Sequence, residues 1–202
     1  MSDVQLLTTE LKAALSEAPV SRRIAMMRQV TVLFLESAPA YSHQHLALFD
    51  IVFATLSHNV ERKILMELSA QLASASNAPP GIISRLASDD DIKIAGPVLE
   101  KSSALVDDDA AEIAKTKSAA HMVAIANRPS ISEVVTDALI GRGVPELSRM
   151  IVAHQDSKIS HVGFVRLVSA ANNDRHLAEM IASRSDLPDE LQPFIKMALE
   201  RP

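Results

Sequence analysis

The chain has 202 residues, a formal net charge of −5 and a pI near 5.8. A broad nucleic-acid footprint needs a basic face, so that class is disfavoured. The absence of cysteine excludes a disulfide scaffold, thiolate metal ligation and thiol catalysis, and an aromatic content of 3% leaves little for a sheet core or a base-stacking platform.

Hydrophobic residues make up 48% of the chain and charged residues 22%, which fits a soluble globular protein. Gln5, Glu10 and Lys12 interrupt the first apolar stretch, so no secretory leader is expected. No apolar run approaches the roughly eighteen residues of a membrane span. The expected compartment is the cytoplasm.

Helical spacing begins at once. Ser2 opens a pattern with Val4, Leu7, Leu11 and Ala14 on one side, which Ala18-Pro19 ends. Ser21 is placed to cap a second helix with Ile24, Met27, Thr31 and Phe34 on one stripe, closing before Pro39. Ser42 starts a third, with Leu46, Phe49, Phe53 and Leu56 inward. A fourth runs from about Asn59 with Ile64, Leu65, Leu68 and Leu72 inward. These four read as a divergent N-terminal cap over residues 1–78.

From residue 79 to residue 202 the rhythm shortens. Pro80 to Ala87 is a brief helix with proline in its first turn. The next begins at Asp90 and is expected to bend at Gly96-Pro97. Short helices follow over Asp107–Lys117, Ala119–Arg128, Ser132–Ile140, Pro145–His154, Ser160–Ala171, Asp174–Ser183 and Pro188–Arg201. A phrase recurs among them: a helix end, a basic or polar residue, then a lone aliphatic followed mostly by Ser or Pro. Its anchors Leu105, Ile131, Ile159 and Leu187 are spaced 26, 28 and 28 residues apart. A fixed period of this size marks stacked helical units. Helices of about ten residues are marginal alone, where about 12–15 are needed. They must therefore bury their apolar faces on neighbouring pairs. The predicted fold is a single all-α domain, a HEAT-like α-solenoid of short helical pairs behind a four-helix cap.

The stretches Ile94–Ser102, His121–Arg128 and Ile159–Phe164, together with Arg22–Leu35, resemble a mostly alphaproteobacterial domain-of-unknown-function family, number 2336. The resemblance implies HEAT-like helical pairs and brings no functional residue with it.

Ser102, Arg128, His154 and Arg184 end one helix in each unit at matching places. Arg128, His154 and Arg184 would form a basic edge, either neutralising helix C-termini or holding an acidic partner or phosphate. Asp89-Asp90-Asp91 and Asp107-Asp108-Asp109 each precede a helix and read as caps, since a calcium loop would need a glycine and a bidentate glutamate that are missing. Seven histidines show no metal-ligand spacing. His121 and His176 sit near equivalent places, and His154 and His161 flank one turn. Ser130, Ser132 and Ser160 read as helix caps; Glu36, Asp50 and Glu133 read as solvated carboxylates. No catalytic constellation and no cofactor motif emerges. Methionines are core filler or a groove for a partner helix.

The expected function is a non-enzymatic module that holds a protein partner on its helical surface. One alternative is a HEAT-like nucleic-acid-binding or DNA-processing protein. Another is small-molecule or lipid binding in a helical cleft. No cofactor, metal or membrane association is expected.

Overall fold

The computed structural model describes residues 13, 15 and 17–200. Ser2, Val4, Leu7, Leu11 and Ala14 of the first expected helix, and Arg201 of the last, lie outside the described residues. Twelve α-helices are described, and the described residues contain no strand. They form two compact units, one up to Val106 and one from Asp107.

The N-terminal unit holds α1 (Val20–Ser37), α2 (His43–Leu56), α3 (Arg62–Leu72), α4 (Pro80–Ala87) and α5 (Ile92–Lys101). Helix α1 buries Met27, Thr31 and Phe34 as the spacing predicts, but Arg23 rather than Ile24 completes the buried stripe. In α2, Leu46, Phe53 and Leu56 point inward. Phe34, Tyr41, Phe49 and Phe53 form one cluster, with Phe34 and Phe49 edge to face at a centroid distance of 4.9 Å. Four of the chain's six aromatics are thereby used in a core. Helix α3, expected in the cap, packs against α5. Helix α5 remains one helix through Gly96-Pro97. Buried Ser69 of α3 donates to the carbonyl of Ile94 at 2.6 Å, beside the backbone acceptor that the proline leaves without a donor.

The C-terminal unit holds α6 (Asp107–Thr116), α7 (Ala119–Ala126), α8 (Glu133–Ile140), α9 (Pro145–Ala153), α10 (His161–Ala171), α11 (Arg175–Ala182) and α12 (Gln192–Glu200), the last preceded by a 3-10 turn over Asp189–Leu191. Within each unit every helix contacts the one after the next, and only some also contact the next. The even and odd helices thus make two rows. This is an all-α arrangement of repeated helical pairs.

The repeat is visible in burial. Leu72 and Leu99 in the first unit, and Ile125, Ile151 and Ile181 in the second, close their helices at 0% exposure. One turn earlier stand Leu68, Ala95, His121, Leu147 and Leu177, all buried. His121 thus occupies a position given elsewhere to leucine or alanine; its ring nitrogen Nδ1 meets the hydroxyl of Ser118 at 2.8 Å. Of the anchors, Leu105, Ile131 and Ile159 are buried and Leu187 is half-buried. Ile131 makes an isolated parallel bridge with Ser157, so the phrases of adjacent layers touch through extended backbone.

Truncating one member of the buried row leaves a cavity that short helices cannot collapse. Ile151→Ala is expected to cost about 2–5 kcal/mol of unfolding free energy, measured by urea denaturation.

Candidate functional site: the basic edge and the surfaces of the C-terminal unit

Two of the three residues of the expected basic edge, His154 and Arg184, reach back to the backbone of the preceding layer. His154 Nε2 lies 2.8 Å from the carbonyl oxygen of Arg128. A carbonyl only accepts, so this nitrogen carries the proton. Arg184 Nη1 donates to the carbonyls of Val152 and His154, both at 3.1 Å, and its Nη2 donates to that of Ser157 at 3.0 Å. Its side chain is 9% exposed, and Asp186 receives two further bonds from it. Arg128 is half-buried; burial pushes its guanidinium below the usual value while Asp107 opposes that shift. The fourth aligned residue, Ser102, is buried, and its hydroxyl accepts from the backbone N–H of Ala104.

The same device occurs outside the edge. Arg142 Nη1 donates to the carbonyls of Ala114, Lys115 and Lys117 at the end of α6. Arg85 donates to the carbonyl of Ala54 and the hydroxyl of Ser57 at the end of α2. The last carbonyls of a helix have no partner within it, so a guanidinium from the following layer satisfies them.

Helix N-termini are held similarly. Asp50, expected to be solvated, instead accepts the backbone N–H groups of Gly81 and Ile82 at 3.0 and 2.8 Å and so caps α4. Asp137 of α8 accepts from the hydroxyl of Ser160, which in turn caps α10 through the N–H of Gly163. A side chain at Gly163 would put a carbon 2.8 Å from Asp137. Sequence reasoning missed this pairing of an aspartate with a glycine near the start of the helix two places on. The signal was the recurrence of Asp50 with Gly81 and Asp137 with Gly163.

Other expectations resolve individually. Asp91 caps α5 through the N–H of Lys93, and Asp107, Asp108 and Asp109 fill the first turn of α6. Ser160 caps α10, whereas Ser132 occupies the cap position of α8 without a side-chain hydrogen bond. His121 is buried and His176 exposed, because they sit one residue out of register with each other. His154 and His161 turn to different partners, His161 lying 3.6 Å from Glu190. Among the described residues no three His, Asp or Glu side chains group as metal ligands, and no helix is long and apolar enough to cross a membrane.

Two surface features of the C-terminal unit remain. Between α10 and α12 lies a groove of about 380 Å³ bordered by Val165, Leu191, Phe194 and Met197. Across α8, α9, α10 and α11 opens a cleft of about 760 Å³ that includes Arg149, Arg166 and Arg175. Sequence spacing did not single out either.

This is a helical-repeat protein whose polar side chains largely join one layer to the next. Residues 94–193 match the model of a family described as uncharacterised proteins conserved in bacteria, DUF2336, and over that stretch the chain belongs to it. The Arg22–Leu35 segment falls outside the match. No curated protein and no solved structure matches the chain.

Two outcomes follow from this geometry. Arg184→Gln takes the donor away from the carbonyls of Val152 and Ser157 at a layer junction and is expected to cost about 1–3 kcal/mol, seen as a lower thermal midpoint. Three aspartates titrate below the usual carboxylate range: Asp91 chiefly through its hydrogen bond from Arg62, Asp174 through the N–H of Leu177, and Asp186 through Arg184. Their contribution is therefore complete above the unfolded carboxylate value and is lost as pH falls. Thermal midpoints measured down the acid range should hold to about pH 4 and decline below it.

Proposed function

We propose that the chain is a non-enzymatic interaction module of the cytoplasm. Its helical pairs would stack as a HEAT-like α-solenoid and hold an amphipathic helix of a protein partner. The observation that carries this reading is the groove between α10 and α12. Val165, Phe194 and Met197 are 44%, 53% and 54% exposed around it, while Val168 and Leu191 form a buried floor. Large apolar side chains gathered about one groove are costly to leave in water and mark contact sites. The unbranched Met197 and the ring of Phe194 suit an apolar helix face, on which anchors recur every three to four residues.

The groove is favoured over the basic edge for a specific reason. His154 and Arg184 direct their donors to backbone carbonyls of their own chain. An acidic partner would have to compete with those bonds, whereas nothing described covers Phe194.

A photo-cross-linking side chain introduced at Met197 should yield a discrete adduct with a different polypeptide in living cells. Adding Val165→Ser and Phe194→Ser should remove that adduct with little change in thermal midpoint, since both side chains are exposed. Adducts only with copies of the same chain, or with nucleic acid, would overturn the reading, as would none at all.

A further inference from the structure

The arginine-lined cleft points to a ligand that the groove does not need. Its lining includes Arg149, Arg166 and Arg175 against one carboxylate, Asp174, with Glu179 beside Arg175. That is a local excess of positive charge on a chain whose formal net charge is −5. Arg149 donates through Nε and Nη2 to Asp174, at 3.1 and 2.7 Å, which leaves its Nη1 uncommitted. Arg175 uses only Nε, toward Glu179 at 3.2 Å. Arg166 has no hydrogen bond or ion pair among the described residues. Ser148 lines the same cleft at 6% exposure, and its hydroxyl likewise has no partner among them.

The position of Arg166 is built rather than incidental. It rests beside Gly141, where a β-carbon would come within 3.2 Å of its Nη1 and 3.0 Å of the carbonyl of Asp137. The absent side chain is the space beside which the guanidinium sits. The floor is apolar, with Ile140, Leu167 and Leu177. A volume of about 760 Å³ falls within the range of small-molecule sites, about 300–1,000 Å³. An apolar floor in a cleft lined by guanidinium groups fits a carbon skeleton ending in an oxyanion, which guanidinium groups bind in bidentate fashion.

We propose that this cleft binds a small organic oxyanion, a phosphate ester or a carboxylate, with Arg166 as its principal anchor and Arg149 and Ser148 as further donors. The proposal uses none of the groove residues and stands apart from the protein-partner reading.

Isothermal titration of the full chain at low ionic strength, with inorganic phosphate, glucose 6-phosphate and succinate in turn, tests it. At least one probe should give saturable heat. Arg166→Gln should weaken that probe at least tenfold with an unchanged thermal midpoint, and Gly141→Ala should weaken it in the same direction. Tighter binding of glucose 6-phosphate than of succinate assigns a phosphate ligand, and the reverse assigns a carboxylate. Saturable heat from none of the three overturns the proposal. So does an unaltered constant in Arg166→Gln, or an equal loss in Arg22→Gln, a surface arginine of the other unit.

Discussion

Helices of eight to eleven residues cannot hold their shape in water unaided. Everything in the C-terminal unit follows from the need of each short helix for its neighbours. Two kinds of contact meet that need. Apolar burial at Ile125, Ile151 and Ile181 supplies most of the free energy but tolerates sliding. Hydrogen bonds from His154, Arg184 and Arg142 to the carbonyl ends of earlier helices supply direction. A shift by one residue would leave those carbonyls buried without donors, so the polar contacts fix the register in which the apolar ones pack.

Much of this was written in the spacing. The anchors Leu105, Ile131 and Ile159 identified the units, and the prolines at 80 and 145 marked helix starts to the residue. Even the alignment of Arg128, His154 and Arg184 was legible. What spacing could not show was the target of each side chain. A cation at a helix end can serve its own dipole or the carbonyls of the preceding layer, and only packing decides between them. Asp50 illustrates the point: on the sequence it is a charge on a helix face, and in the fold it caps another helix some thirty residues on. The groove beside Phe194 and the position of Arg166 depend on which helices become neighbours, which periodicity alone does not encode. The start of the repeat was also blurred, because between Leu72 and Ala78 the phrase has Ala75 at the place that later units give to Ser102, Arg128, His154 and Arg184.

The division of labour among the arginines bears on function. Arg85, Arg142 and Arg184 have carbonyl partners and act as internal fasteners. Arg166 lies over a glycine with no such partner. Charge counts and residue types do not separate the two groups; the accounting of donors and acceptors does. Burial separates Val168 from Val165, which share one helix but lie on opposite sides of the boundary between interior and contact surface.

The fasteners at the layer junctions span about one repeat: 26 residues from His154 to Arg128, 32 from Arg184 to Val152, 25 from Ser69 to Ile94. None joins distant parts of the chain. Such short loops close at little entropic cost, so nucleation can begin at any layer and spread outward. Loss of order would likewise advance rung by rung within a unit, giving graded opening in place of a single cooperative collapse.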